Sequence, residues 1–227
     1  MKNIVVLTGA GISAESGIKT FRDSDGLWES HKVEDVATYD AWLRNPFLVL
    51  EFYNQRRRQL LDVKPNLAHF GLKKLEEKYN VNIITQNVDD LHERAGSRNI
   101  LHLHGELKKS RSTFEDSLVY DIAGSELNIG DMCELGSQLR PHIVWFGEAV
   151  PLIEEAILIT QKANILIVIG TSMNVYPAAN LINYVKPNTD VYFIDPKANE
   201  IINNKNIKTI AKLATDGVSE LLDILIN

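Results

Sequence analysis

Two histidines, His102 and His104, stand at alternate positions in the segment 99–106. In a strand, this alternation places both imidazoles on one face and the intervening leucines on the other. A histidine at a strand end beside Gly105 suits a general base, because its unperturbed pKa lies near neutrality. The residues alone leave two further interpretations open, namely a pair of metal ligands and histidines with a purely structural role.

Polar side chains also follow the apolar run at 81–85, in the sequence TQNVDD. The carboxyl ends of parallel strands are where open α/β sheets bind ligands. The amides of Gln86 and Asn87 could hold ribose hydroxyls, a carboxamide or a water, and Asp89 could accept from a carboxamide N–H. The alternative is that Asn87 or one of the aspartates only caps a short helix.

Glycine-rich loops follow two other apolar runs. The segment GAGISA at 9–14 comes after residues 4–8 and matches the dinucleotide fingerprint G-x-G-x-x-[G/A]. In such a loop, Gly9 and Gly11 let backbone N–H groups approach a pyrophosphate, and a helix that begins near Ser13 would add its dipole. The segment GTS at 170–172 suits contact with a second part of the same nucleotide. Taken singly, each loop is equally consistent with a tight turn.

The region after the first glycine loop argues against a dehydrogenase. A hydride-transfer unit returns to a second strand within about 30 residues and carries an acidic residue about 20 positions on for the ribose. Here Phe21 and Arg22 follow the loop, and no convincing strand comes before Val81.

Continuous apolar runs at 4–8, 81–85, 143–146, 164–170 and 191–194 alternate with helical patterns. This order predicts an α/β fold with a Rossmann-like parallel sheet and helices on both faces. Two stretches interrupt the alternation and predict a small second domain formed by two insertions. We assign residues 1–28, 62–106 and 141–227 to the large nucleotide-binding domain and residues 29–61 and 107–140 to the small one.

The chain has 227 residues, a net charge of −6 and a single cysteine, Cys133. An acidic chain without a broad basic stretch or a long apolar run is not typical of proteins that bind nucleic acid or span membranes. One cysteine excludes an internal disulfide framework and fits a reducing compartment, and the N-terminus lacks a secretory apolar region. We therefore expect a cytoplasmic protein that binds neither nucleic acid nor a membrane.

The motifs GAGISAESGIKTFR, TQNVDDLHERAG, LHLHGE, RPHIVWFGE and IGTSMNVYPAA, in this order and spacing, resemble those of the sirtuin (Sir2-like) family of NAD-dependent protein-lysine deacylases. The resemblance runs from Leu7 to about Ala214. It implies NAD as cosubstrate, acylated lysines of proteins as partners, and release of nicotinamide and O-acyl-ADP-ribose. We expect a monomer. The alternatives are an NAD glycohydrolase or ADP-ribosyltransferase on the same scaffold, and an NAD-binding module without turnover.

The resemblance also implies roles for individual residues. His104 would be the general base that activates a ribose hydroxyl, Asn87 would lie beside the ribose and a water, and Asp89 would hold the nicotinamide carboxamide. The substrate peptide would add as a strand between the segment 144–148 and the loop 174–176. The implied substrate contacts are Tyr53, Arg56, Val144, Phe146, Gly147 and Val175. The implied cofactor contacts are Gly9, Ala10, Gly11, Ile12, Ala14, Glu15, Thr20, Phe21, Arg22, Trp28, Gln86, Asn87, Val88, Asp89, Gly170, Thr171, Ser172, Asp195 and Ala214.

Tyr53 and Arg56 lie three residues apart on a predicted helix and so share a face. A phenol beside a guanidinium suits a carboxylate, since the arginine fork binds both oxygens. Tyr-x-x-Arg at this place resembles the class III (desuccinylase) branch of sirtuins, which implies removal of succinyl or malonyl as well as acetyl groups. The alternative from the residues alone is a basic, solvated helix face.

The chain departs from the sirtuin pattern in its cysteines. The family implies two Cys-x-x-Cys pairs that bind a structural zinc in the second insertion, and here Cys133 is the one cysteine present. We therefore predict no zinc and no other metal. In its place we expect apolar contacts from Phe114, Leu118, Val119, Tyr120 and Leu135 to hold the small domain together.

Overall fold

The computed structural model describes residues 1–19, 27–28, 31–173, 175–202 and 206–226, with the backbone alone for 27–28. Its largest element is a six-stranded sheet whose neighbouring strands are all parallel. The strands are β1 (Asn3–Thr8), β4 (Asn80–Thr85), β5 (Ile100–His102), β9 (Ile165–Ile169), β10 (Asp190–Ile194) and β11 (Ile207–Ile210). Their order across the sheet is β11-β10-β9-β1-β4-β5, which places β1 near the centre.

Alternate residues of the central strand β1 face two separate apolar cores. Ile4 and Val6 pack with the helices α5 (Leu67–Leu75) and α9 (Ala214–Ile226). Val5 and Leu7 pack on the other side with α7 (Ile153–Thr160) and a 3-10 helix, Ala178–Tyr184. The sheet therefore has helices on both faces, which confirms the predicted Rossmann-like α/β class.

A second group of elements lies beside the parallel sheet. It contains a three-stranded antiparallel sheet of β6 (Gly105–Ser112), β7 (Val119–Asp121) and β8 (Leu139–Ile143), in the order β7-β6-β8. It also contains the helices α2 (Val33–Val36), α3 (Tyr39–Arg44) and α4 (Pro46–Asp62), with a short pair of strands, β2 (Leu27–Trp28) and β3 (His31–Lys32). The side chain of Asn45 caps α4 by accepting from the N–H of Leu48 at 3.1 Å.

Two sequence predictions are wrong in this region. The run 143–146 is not a strand of the parallel sheet: β8 ends at Ile143 and belongs to the antiparallel sheet. The five apolar residues expected to hold the small domain together do not form its core either: Phe114, Leu135 and Val119 are 77%, 58% and 37% exposed, and Leu118 and Tyr120 are not part of the core cluster. An apolar run does not reveal which sheet it joins. The core of the second group of elements includes Val36, Trp42, Val49, Phe52, Tyr53, Leu60, Leu107, Ile143 and Trp145.

The remaining helices are short: α1 (Gly11–Ala14), α6 (Leu91–Arg94) and α8 (Ala198–Ile201). The boundaries predicted between residues 106 and 107 and between 140 and 141 fall inside β6 and β8. The division of the chain at those residues stays a prediction. Among the helices of the described residues, none combines the length and the apolar character that crossing a bilayer requires.

Candidate functional site

The candidate site lies where the carboxyl ends of β1, β4 and β9 meet. The backbone N–H of Gly9 donates to the oxygen of Ile169, and the N–H of Gln86 donates to the oxygen of Thr8 at 2.9 Å. The side-chain amide of Gln86 donates to the hydroxyl of Thr171 at 3.2 Å. The loops that follow these three strands are therefore held together at the sheet edge where open α/β folds bind ligands.

The two glycine loops pack directly against each other. A Cβ on Gly11 would lie 2.6 Å from the Cα of Gly170, and a Cβ on Gly9 would lie 2.8 Å from the Gly170 oxygen. Gly170 itself has φ +62°, which favours glycine. Any side chain at these positions would force the loops apart, so the glycines set the spacing of the two loops.

The first loop uses several of its own N–H groups within the fold. The N–H groups of Gly9 and Gly11 donate to the backbone oxygens of Ile169 and Gly170, and those of Ile12 and Ser13 donate to the oxygens of Gly9 and Ala10. The Ile12 side chain is fully buried in the core. The contact of this loop with a pyrophosphate stays a prediction.

Ser13 joins the two polar residues that follow β4. Its hydroxyl accepts from the Asn87 side-chain amide at 3.1 Å and donates to the Asp89 carboxylate at 3.0 Å. The other carboxylate oxygen of Asp89 accepts from the N–H of Leu91 at 3.2 Å. Burial raises the pKa of the Asp89 carboxyl, and the bonds from Leu91 and Ser13 oppose that shift. Asn87 and Asp89 are 8% and 6% exposed, so their orientation is fixed.

His104 follows β5 and is half-buried. Its Nδ1 lies 3.0 Å from the backbone oxygen of Gln86. Because a carbonyl oxygen only accepts, Nδ1 carries the hydrogen and Nε2 is the basic nitrogen of the neutral ring. Burial lowers the pKa of His104, and the bond to Gln86 partly opposes this, so the ring is neutral and able to accept a proton near pH 7.

The segment proposed to receive a peptide is tied to His104 and to α2. The N–H of Val144 donates to the His104 oxygen at 2.9 Å, and the N–H of Phe146 donates to the Ala37 oxygen at 3.0 Å. The backbone N–H of Trp145 donates to the Glu148 carboxylate at 2.8 Å. Phe146 is 49% exposed and Val144 is half-buried. Most backbone N–H groups of this segment are therefore engaged within the protein.

Tyr53 and Arg56 both lie in the interior of the second group of elements rather than on a solvated helix face. Tyr53 is fully buried and Arg56 is 8% exposed. The Tyr53 hydroxyl accepts from the indole N–H of Trp145 at 3.0 Å. Burial raises the pKa of Tyr53 well above its usual range, and the nearby positive charge of Arg56 is among the influences that lower it. The pair is thus adjacent, directly beneath the segment that contains Trp145.

Other predicted contacts have identifiable partners. Glu15 accepts from the N–H and the hydroxyl of Thr215, at 2.9 and 2.6 Å, and so caps α9, where Ala214 is buried. Asp195 is 3% exposed and accepts from the Lys197 N–H at 2.9 Å. The half-buried residues include Ala10, Ala14, Val88 and Ser172, and Val175 is 36% exposed. Thr20, Phe21, Arg22 and the Trp28 side chain lie outside the described residues.

The residues of the small sheet do not fit the tetrahedral zinc site of the family. Cys133 is buried, and its thiol donates to the Ser112 hydroxyl at 3.4 Å. Across the described ranges, no three His, Cys, Asp or Glu side chains gather in a way that could hold a metal. A structural zinc needs four ligands, and the chain supplies one thiol here. The absence of zinc stays a prediction.

Two residues of this arrangement escaped sequence reasoning. Ser13 occupies a variable position of the glycine fingerprint, and Trp145 lies between two residues that were assigned to the peptide. A hydroxyl two residues after Gly11 and an indole inside RPHIVWFGE were the available signals. Only the folded chain shows that Ser13 reaches Asn87 and that Trp145 reaches Tyr53.

Comparison with known proteins places this site in a family. Residues 9–177 match the model of the Sir2 family. The chain is 57% identical over 226 residues to an NAD-dependent protein deacylase of Helicobacter pylori (strain ATCC 700392 / 26695), covering 100% of this chain and 98% of that protein. The chain belongs to the Sir2 family.

Solved structures agree. A Sir2 homologue in complex with NAD has a TM-score of 0.87 and 38% identity, with 98% of this chain and 89% of that one covered. A Sir2 complex with a p53 peptide and NAD+ has a TM-score of 0.76 and 29% identity, with 97% and 92% covered.

Proposed function

We propose that this site removes acyl groups from protein lysines, succinyl and malonyl as well as acetyl, and transfers them to ADP-ribose. The chain is an NAD-dependent protein deacylase of the Sir2 family, as its full-length similarity to proteins of that name indicates. NAD supplies the ADP-ribose that takes up the acyl group. The solved Sir2 complex with a p53 peptide supports proteins as the partners. A monomer in the cytoplasm that binds neither nucleic acid nor a membrane is part of the proposal.

The observation that carries the proposal is that a neutral His104 lies at the same sheet edge as a hydrogen-bonded row of three side chains. The row consists of the Asn87 amide, the Ser13 hydroxyl and the Asp89 carboxylate. His104 presents Nε2 as the base, because Nδ1 is held by the Gln86 oxygen. Ser13 orients Asn87 and Asp89, whose amide and carboxyl suit a ribose, a water and a carboxamide. The loops at Gly9, Gly11 and Gly170 pack against each other beside these side chains and so hold the ends of β1 and β9 together. The amide, hydroxyl and carboxylate of Asn87, Ser13 and Asp89 offer NAD both hydrogen-bond donors and acceptors.

Tyr53 and Arg56 support the acyl preference. Their side chains are buried beside one another, and the Tyr53 hydroxyl contacts Trp145. Trp145 belongs to the segment 144–148, along which the peptide would lie. An acyl chain that ends in a carboxylate could reach the Arg56 guanidinium, whose fork binds both oxygens, with the Tyr53 hydroxyl beside it. An acetyl group lacks the carboxylate and would gain nothing from Arg56.

Mass spectrometry of reactions with NAD and matched acetyl-lysine and succinyl-lysine peptides tests this function. We expect acyl-ADP-ribose, faster removal of succinyl, and selective loss of succinyl removal in Arg56→Met. Arg58→Met is the matched control, since Arg58 lies on the same helix but pairs at the surface with Glu51 and Glu126. Acetyl removal alone would overturn the acyl preference. Nicotinamide release without a change in peptide mass would favour the NAD glycohydrolase.

A further inference from the structure

His102 makes two hydrogen bonds that the proposed reaction does not use. Its Nε2 lies 2.7 Å from the Glu93 carboxylate of α6, and its Nδ1 lies 3.1 Å from the backbone oxygen of Asn87. The His102 side chain is 8% exposed. The ring therefore bridges a carboxylate and the backbone of the residue that would lie beside the ribose.

The two partners of His102 define its charge. A carbonyl oxygen and an ionised carboxylate can only accept hydrogen bonds, so both ring nitrogens must carry hydrogen. His102 in this geometry is an imidazolium. A neutral ring has one N–H, which stays with the Glu93 carboxylate because a hydrogen bond to a charged acceptor is the stronger of the two. The bond to the Asn87 oxygen is then given up.

The titratable groups that surround His102 among the described residues come from α6, from the loop before it and from β6. Glu93 and His92 come from α6, Asp89 from the loop before it, and Glu106 from β6, where Lys109 pairs with Glu106 at 2.8 Å. Burial disfavours the charged ring, but the bond and charge of Glu93, with Glu106 and the Asn87 oxygen, raise the pKa of His102 above 6.5. Burial holds the pKa of His92 well below 6.5, so His92 is neutral and does not compete.

We propose that the His102–Glu93 pair positions Asn87 for the reaction, as a proton-dependent clamp on the loop after β4. The inference rests on the proposed function. Two consecutive carbonyls of this loop are each held by a histidine, Gln86 by His104 and Asn87 by His102. Because His104 holds its carbonyl as a neutral ring and His102 as a cation, alkaline pH releases only the Asn87 carbonyl.

The expected signature is a loss of kcat on the alkaline side. A group whose pKa is raised by folding contributes while it is protonated, and its contribution disappears as pH rises through the raised value. The bond to Asn87 is therefore complete below pH 6.5 and is lost as pH rises through the raised pKa of His102. His104 is a base with a lowered pKa and so accounts for a fall on the acid side only.

Profiles of kcat and KM against pH for three variants test the clamp. Glu93→Gln removes the carboxylate and should move the alkaline fall toward neutrality by roughly 1 unit or more. His102→Asn keeps a neutral N–H donor near the position of Nδ1 and should remove the alkaline fall, with kcat lowered at neutral pH. Glu76→Gln, which removes a carboxylate paired with Arg98 and Lys73 away from the site, should leave the profile unchanged.

A readout without turnover separates this inference from the proposed function. Nitrogen NMR of the ligand-free protein, with the signals assigned by their loss in His102→Asn, reports directly whether both ring nitrogens of His102 carry hydrogen at neutral pH. Absence of deacylation at every pH would overturn the proposed function alone. A neutral His102 at pH 6.5, or an alkaline fall that Glu93→Gln leaves in place, would overturn the clamp. If the His102–Glu93 pair were purely structural, Glu93→Gln and His102→Asn would lower kcat by the same factor at all pH values. That result would also overturn the clamp.

Discussion

The backbone oxygen of His104 accepts a hydrogen bond of 2.9 Å from the backbone N–H of Val144. The residue proposed as the general base is therefore bonded to the segment proposed to hold the peptide, while its ring is bonded to Gln86 on the other side. A shift of either segment displaces the imidazole. Occupation of the peptide segment and alignment of the base are thus linked through one residue.

Replacement of His104 by alanine should separate catalysis from binding. We expect turnover to fall by about 10²–10⁴-fold, because a positioned base contributes that much. Binding of NAD, measured by calorimetry, should persist because Ser13, Asn87 and Asp89 remain joined. His142→Ala removes another half-buried histidine and serves as the control. Loss of NAD binding in His104→Ala would contradict the assignment of His104 as a base.

The acid side of the pH profile should report His104. Burial lowers the pKa of this ring, so it stays neutral and active at pH 6.5 and gains a proton only below that value. We expect kcat/KM to be flat between pH 6.5 and neutrality and to fall under more acidic conditions. A fall that begins above pH 6.5 would show that another group is the base.

Removal of the Ser13 hydroxyl should weaken NAD use without unfolding the protein. Ser13→Ala leaves the Asp89 carboxylate and the Asn87 amide without the group that joins them. A hydrogen bond to a charged group contributes about 1.5–3 kcal/mol, so kcat/KM for NAD should fall roughly ten- to hundredfold. Ser16→Ala is the matched control, because Ser16 faces Asn66 instead. Equal effects of both variants would count against the proposed role of this row.

Gly105→Ala should be far more destabilising than Gly124→Ala. Both glycines have positive φ, +82° and +81°, but a Cβ on Gly105 would lie 2.0 Å from the His142 oxygen while one on Gly124 meets nothing within 4 Å. Backbone strain alone should lower the free energy of unfolding by about 1–2 kcal/mol in Gly124→Ala. The clash should add to this in Gly105→Ala. Thermal or urea unfolding measures the difference, and similar losses would exclude the clash.

Treatment with a metal chelator should leave the stability and the activity of the protein unchanged. We expect no zinc after dialysis, and the same unfolding temperature and deacylation rate with or without a chelator, because Cys133 contacts Ser112 rather than a set of ligands. Cys133→Ser should likewise change little. One zinc per chain that survives dialysis would overturn this prediction.

The sequence predicts the large elements of the fold because burial on both faces leaves continuous apolar runs, as in β1, β4, β9 and β10. It does not assign β5 to the parallel sheet, so only the folded chain shows that Asn87 and His104 both follow strands of that sheet. It does not predict the Ser13 bridge, the Trp145–Tyr53 bond or the charge of His102. Each depends on side chains from distant segments whose distances only tertiary packing sets.

Only Leu103 and His104 separate β5 of the parallel sheet from β6 of the antiparallel sheet, whereas residues 122–138 connect β7 to β8. A single inserted residue at 103–104 would rotate the imidazole away from the Gln86 oxygen. A longer or shorter 122–138 segment would leave the spacing at 103–104 unchanged, and most of its residues other than Leu127 and Cys133 are exposed or half-buried. Over evolutionary time, length variation should therefore collect in 122–138 and be purged at 103–104. Such a chain could gain or lose metal ligands in the segment between β7 and β8 while the position of His104 between β5 and β6 stays the same.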